Sequence, residues 1–239
     1  HQSHQGAPMR RDEAKVRAAL ASGIGTWRSP QPFSRAVRTY AAVDSAFERI
    51  LTPDKANATF AAGQNIQLKD YDPDYPALLI GNFMLGGGFL NSRMAVRLRQ
   101  KEGISYGVGT GLQVQALDRF GQWLTQAILN PTNVDRLSTA YREEIDKVLK
   151  DGFTDAEIEA AKSGYVTGRS QARANDPELV GLLITRRFAG RTMAYDAKLE
   201  KDIMALTPAQ VNAAVRKYLD PKKTVIVQAG DFKQPKPVP

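Results

Sequence analysis

The strongest constraint on the fold is an alternating run of residues between positions 104 and 129. From Tyr106 to Ala116 every second residue is apolar or β-branched, and the residues between them are glycine or glutamine. Such alternation is typical of a β-strand with one buried face. Asp118-Arg119 is the predicted turn, and residues 120–129 are predicted to return as a hairpin partner. The chain is therefore expected to contain an antiparallel sheet.

Two further strands are predicted. Residues 57–68 also alternate, with Phe60 among the inward residues and Gln64 as the polar interruption. Residues 224–227 form a short continuous apolar run, which is consistent with a final buried strand. The sheet is thus expected to combine a hairpin with strands from distant parts of the chain.

Helices are predicted between and after these strands. Asp72 is the predicted N-cap of a helix that ends at the glycines of residues 86–88, and Asn91 to Lys101 reads as a second helix closed by Gly103. Apolar residues at steps of three and four predict a helix over 134–148. A capping box of Thr154 and Glu157 predicts the start of the next helix.

The mixture of elements predicts an α+β fold, with a largely antiparallel sheet and helices packed on one face. Residues 1–33 are polar or rich in glycine and proline, and they are predicted to be a partly disordered lead-in segment. Residues 34–232 are expected to form one domain, and 233–239 a proline-rich tail.

The residue inventory excludes several kinds of active site. The chain has no cysteine, so disulfides, thiolate metal sites and cysteine nucleophiles are excluded. Its two histidines are His1 and His4, in a polar terminus where no other side chains can orient them as metal ligands. We therefore expect no catalytic zinc site and assign no metal ligand in this chain; a magnesium or calcium site made of carboxylates alone stays open, although nothing resembles an EF-hand loop. A serine hydrolase also needs a base beside the nucleophile, and no internal histidine can supply one.

The net charge of +8 is spread along the chain and mixed with acidic residues. A nucleic-acid binder would usually concentrate such charge in a stripe with interleaved aromatic residues. The distribution predicts a solvated basic surface, or a positive wall that attracts acidic peptides or a partner subunit, and no nucleic-acid partner. No apolar run approaches the roughly 20 residues that span a bilayer, so no membrane partner is expected.

Two clusters of glycine require an explanation. Glycines at alternate positions of the predicted strand strip one of its faces of side chains, which indicates either a closely approaching backbone or ligand, or a bend. Gly86, Gly87 and Gly88 lack the lysine and hydroxyl residue that end a phosphate-binding loop, and they follow a helix rather than a strand. Nucleotide binding is therefore not expected.

Two longer motifs resemble a known family. LGGGFLNSR at residues 85–93 and LRQKEGISYGV at 98–108 closely resemble the C-terminal domain signature of insulinase/pitrilysin-type zinc metallopeptidases. TPDKAN at 52–57, DPDYPA at 72–77 and LTPAQV at 206–211 agree with it in order. The resemblance runs from about residue 29 to residue 232 and covers most of the chain.

The resemblance implies one half of a clamshell peptidase. In such enzymes one half carries the zinc motif His-x-x-Glu-His, and the other half is metal-free and closes over the peptide substrate. This chain lacks the motif, so it resembles the metal-free half and is expected to be inactive alone. Zinc and a zinc-binding half are then expected in the parent chain or a partner subunit. The alternative is a catalytically inactive scaffold or partner subunit of the same family.

The resemblance also assigns candidate site residues. An arginine and a tyrosine seven positions apart bind the substrate carbonyl in many relatives, and they match Arg99 and Tyr106. From the pattern alone, Tyr106 could instead be a core residue, and Arg99 a cation favoured by the end of a helix. Gly86 to Gly88 are expected to flank the substrate path or to form a plain corner between helices. The similarity to large bacterial relatives favours the periplasm, with the cytoplasm as the alternative.

Three further residues are weaker candidates for the site. Arg93 and Arg97 lie one helical turn apart, which suits a peptide carboxylate or an ordinary solvated helix face. Glu102 is expected to pair with a neighbouring base rather than to take part in catalysis.

Overall fold

A computed structural model describes residues 12–232, which divide into two compact units on either side of the Val37–Arg38 bond. In the first unit, helix α1 spans Glu13–Leu20 and continues as a wide turn over Ala21–Gly25. Its N-cap, Asp12, accepts hydrogen bonds from two backbone N–H groups of the first turn. The polar end at residues 1–11, with His1 and His4, and the tail at 233–239 lie outside the described residues.

The second unit is built on a five-stranded sheet. Its strands are β1 (Ala46–Leu51), β2 (Ala58–Ile66), β3 (Gly107–Val114), β4 (Gly121–Leu129) and β5 (Val225–Gly230). They lie in the order β1-β5-β2-β4-β3. Only the β1–β5 pair is parallel among the described strands, so the predicted α+β class and the largely antiparallel sheet are confirmed.

The predicted hairpin is β3 and β4, which pair from Gly107 opposite Ile128 to Val114 opposite Gly121. Strand β2 alternates as its sequence predicted, with residues 58, 60, 62, 64 and 66 buried. Gln64 belongs to the inward set because its side-chain oxygen accepts a hydrogen bond from the backbone N–H of Asp220 at 2.9 Å. A buried amide is stable there because it is hydrogen-bonded.

The helices of this unit are α2 (Tyr75–Asn82), α3 (Val134–Asp151), α4 (Asp155–Ala172), α5 (Asp176–Phe188), α6 (Ala194–Met204) and α7 (Pro208–Tyr218). Leu78, Leu137, Ile158 and Val211 from four of them join the inward face of β2 in one core. The capping box predicted for α4 is present, and α7 also starts with a capping box, formed by Thr207 and Gln210. No helix among the described residues is apolar over a long enough stretch to cross a bilayer.

Two local predictions were wrong in detail. Asp72 is not the N-cap of α2, because the helix starts two residues later, after Asp74. Asp72 instead accepts hydrogen bonds from the Lys69 backbone N–H and from Arg119. The helix predicted over Asn91 to Lys101 is irregular: a 3₁₀ turn ends at Asn91, and a wide π-helical stretch occupies Ala95–Lys101.

Candidate functional site

Arg99 and Tyr106 lie in one short segment between α2 and β3. Arg99 occupies the last turn of the wide stretch Ala95–Lys101, and its side chain is exposed. Tyr106 immediately precedes β3 and is 65% exposed, so the alternative that it is a core residue is wrong. Within the described part of the chain, neither side chain makes a hydrogen bond, ion pair or ring contact. The guanidinium and the phenol are therefore both available to a ligand.

The backbone between these two residues is held in place. Gly103 has φ of +62°, a left-handed conformation that glycine adopts without strain. This lets the N–H of Ile104 return to the carbonyl of Leu98 at 3.0 Å and end the wide turn. The N–H of Tyr106 then donates to the carbonyl of Ile128 at 2.9 Å. The two exposed side chains thus project from a fixed backbone.

Arg93 lies at the start of the same segment, and it points inward. Its Nε and Nη2 donate to the two carboxylate oxygens of Glu157 at 2.7 and 2.8 Å. Its Nη1 donates to Glu144 at 3.4 Å, and its guanidinium stacks over Phe153 at 5.2 Å from the ring centre. Arg93 therefore joins the segment to α3 and α4. It is neither a solvated arginine nor free for a peptide carboxylate.

Arg97 is also occupied. Its Nη2 donates to Glu143 on α3 at 2.6 Å, and its Nε forms a 2.8 Å ion pair with Glu102. Glu102 in turn accepts a hydrogen bond from Arg136 at 3.4 Å. The expectation that Glu102 pairs with a neighbouring base is confirmed. Sequence alone does not identify Glu143, Glu144 and Glu157 as partners of these arginines, because spacing along α3 and α4 does not indicate which residues those helices face.

The Arg93 pair lowers the pKa of its partner, Glu157. Partial burial alone would raise the pKa of Glu157, but the Arg93 hydrogen bonds and those from Thr154 outweigh it. Together they lower the pKa of Glu157 to about 2. The same carboxylate is the capping-box residue of α4, so it holds both the start of that helix and Arg93.

An open cleft of about 630 Å³ lies beside this segment. It runs between the wide stretch and the facing parts of α3 and α4. Its wall carries charges of both signs, and they include the side chains of Arg93, Arg97, Lys101, Glu143, Glu144 and Glu157. The cleft therefore has no strong preference for one sign of charge.

The three glycines of the corner have different surroundings. Gly86 is buried against β3, and a Cβ atom there would lie 2.7 Å from the backbone nitrogen of Thr110. Gly87 is exposed, and Gly88 packs against Phe83. On the strand itself, Gly107 and Gly111 have open space where a side chain would be. Gly86 thus allows a helix end to contact a strand, and the stripped face of β3 remains open around Gly107 and Gly111.

The described residues do not fit a zinc ion. Zinc in peptidases is held by three convergent protein ligands, usually histidine and carboxylate. Within residues 12–232 no three His, Cys, Asp or Glu side chains come together in a way that could hold a metal.

Comparisons with known proteins show a family and a fold to which this chain is similar. The sequence model of the peptidase M16 inactive domain matches residues 12–165. An M16 inactive domain from Pseudomonas fluorescens shares 27% identity, with a TM-score of 0.74, over 87% of this chain and 48% of its own. A protease from Helicobacter pylori shares 14%, with a TM-score of 0.75, over 92% and 53%. The periplasmic protease PqqL from Escherichia coli shares 20%, with a TM-score of 0.65, over 91% and 24%.

The chain thus spans about half the length of the first two structures and about a quarter of the third. None of the curated proteins matches it. The family model covers well over half of the chain, and the structures share its fold. The chain therefore belongs to the M16, or insulinase-type, peptidase family and carries its inactive domain.

Proposed function

We propose that this chain is the non-zinc half of a zinc-dependent endopeptidase, in which it closes the chamber and contacts the peptide substrate. The supporting observation is the state of Arg99 and Tyr106. Both side chains are exposed and without partners among the described residues, while the segment that bears them is held by hydrogen bonds. Exposed donors on a fixed backbone are suited to binding a ligand, because the ordering cost of binding is then limited to the two side chains.

The proposed chemistry follows from the two side chains. Attack of water on a peptide carbonyl places negative charge on its oxygen, and preplaced hydrogen-bond donors stabilise that charge. Arg99 supplies charged N–H donors in a planar fork, and Tyr106 supplies one O–H donor. Both would donate to the carbonyl oxygen as it becomes an oxyanion. The metal that activates the water would be supplied from outside this chain.

The proposed partners are a zinc-binding half, on the same polypeptide or another, and a peptide substrate. The length of the related structures, about twice that of this chain in two cases, supports the first. The periplasm is the proposed compartment, and it is supported by the E. coli relative, which is named as a periplasmic protease.

The test is zinc-dependent cleavage of a quenched fluorescent peptide by the full-length protein or the assembled halves. Arg99→Ala and Tyr106→Phe are each expected to lower kcat by roughly 10²–10³, the usual effect of losing one oxyanion donor. Lys101→Ala is the matched control, because it removes an exposed cation from the same turn. Its kcat should stay within about two-fold of wild type.

Two outcomes would contradict the proposal. Unchanged rates for both variants would mean that Arg99 and Tyr106 do not contact the reacting carbonyl. If the wild-type assembly cleaves no peptide, the chain is better described as an inactive scaffold or partner subunit.

A further inference from the structure

Arg97 and Glu102 are joined to each other twice. The backbone N–H of Glu102 donates to the carbonyl of Arg97 at 3.2 Å and closes a wide, five-residue step. The carboxylate of Glu102 also lies 2.8 Å from the Nε of Arg97. This second contact is an ion pair rather than a directed hydrogen bond, because Nε itself makes none. Arg99 lies inside the turn that these two contacts close.

Both residues are also tied to α3. Arg97 donates a hydrogen bond to Glu143, and Glu102 accepts one from Arg136. Arg136 and Glu143 lie two turns apart on α3. Four charged side chains therefore form a clasp, defined here as Arg97, Glu102, Arg136 and Glu143. It connects the turn that bears Arg99 to a long helix of the core.

The clasp is not explained by stability alone. Its ion pairs are partly exposed, with 34% of the Arg97 side chain and 23% of the Glu102 side chain accessible. Partly exposed pairs of this kind contribute little to stability. Two backbone hydrogen bonds close the wide turn: the N–H of Glu102 donates to the carbonyl of Arg97 at 3.2 Å, and the N–H of Ile104 donates to the carbonyl of Leu98 at 3.0 Å. The first is at the long end of the usual range, and the side-chain contact between Arg97 and Glu102 adds a second restraint across the same two residues.

We propose that Arg97 and Glu102 are positioning residues that hold Arg99, and through the following backbone Tyr106, in the orientation needed to contact the substrate. This inference rests on the function proposed above. A displacement of about 1 Å in a contacting group can lower a rate by on the order of 100-fold. Residues that restrict the turn therefore act on turnover without touching the substrate.

The experiment uses the full-length protein or assembled halves and the quenched peptide. Glu102→Ala is expected to lower kcat by about ten-fold and to change KM by less than about two-fold, since the donors act mainly in the transition state. Glu102→Gln, which keeps the side-chain volume, should give a smaller loss in the same direction. Arg173→Ala is the matched control: it removes a similarly exposed arginine paired with Glu200 on other helices, and kcat should not change.

The decisive measurement repeats Glu102→Ala in an Arg99→Ala/Tyr106→Phe background. A positioning residue has nothing left to position there, so the further loss should be less than about two-fold. A full ten-fold further loss, or no effect of Glu102→Ala in the wild type, would overturn this inference while the proposed function stood. Wild-type inactivity, or intact rates for the Arg99 and Tyr106 variants, would overturn both.

Discussion

Arg93 and Arg99 lie six residues apart in one irregular helical segment, yet their surroundings are opposite. Arg93 is largely buried, is paired with two glutamates and stacks over an aromatic ring. Arg99 is exposed and has no side-chain partner in the part of the chain that the structure describes. One arginine holds the segment to the core, and the other is available to a ligand. The difference predicts that truncating Arg93 lowers stability, whereas truncating Arg99 lowers activity.

The sharpest test of this difference is truncation of each arginine. Arg93→Ala should lower the free energy of unfolding by about 3 kcal/mol, because it leaves the buried Glu144 and the half-buried Glu157 without their cation. Arg99→Ala, the matched control, should change it by less than about 0.5 kcal/mol. Urea unfolding of both variants measures the two values. Equal losses of unfolding free energy in the two variants would show that the Arg93 contacts do not stabilise the fold.

The glycines give a second, smaller test of the same contrast between packed and open positions. Gly86→Ala would place a Cβ atom 2.5 Å from the methyl group of Thr110 and should cost roughly 1–3 kcal/mol of stability. Gly111→Ala on β3 enters open space and should stay within about 0.5 kcal/mol of wild type. Thermal melting compares the two. A stable Gly86→Ala variant would mean that the corner can move away from β3.

The smallest expected effect is the dependence of the Arg93 contribution on pH. The pKa of Glu157 falls from its ordinary 4.5 to about 2 in the folded protein. A carboxyl whose pKa is lowered by folding stabilises the fold fully above its unfolded pKa and loses that contribution as the pH falls through its folded value. The stability difference between wild type and Arg93→Ala should therefore shrink between about pH 5 and pH 2. Urea midpoints across this range measure it, and a constant difference would contradict the assignment.

Much of the fold could be predicted from local patterns. Strand β2 and the β3–β4 hairpin have alternating sequences because one face of each packs on the core. The start of α4 is predicted by the capping box of Thr154 and Glu157. Strand β1 was not predicted. Every one of its six residues is exposed, so it shows no contrast between a buried and a solvent face. It is a strand because it pairs with β5, and that pairing joins residues about 180 positions apart.

The candidate site shows the same limit. Arg99 and Tyr106 were identified through family motifs, but their exposure could not be deduced from an alternating pattern that placed Tyr106 with the apolar residues. Arg93 is largely buried and Arg99 is exposed because Arg93 meets Glu144 and Glu157, which lie about 50 and 60 residues later in the chain. Spacing within a helix identifies which side chains share a face, and it does not identify what that face meets.

The parallel pairing of β1 with β5 has a consequence for synthesis on the ribosome. In the sheet that the structure describes, β5 is the one neighbour of β1, and it is made last. While residues 225–230 are still inside the exit tunnel, Ala46–Leu51 has no strand to join and β2 has an open edge. Such edges readily associate with other chains. The nascent domain is therefore most exposed to misassociation until its final strand has emerged.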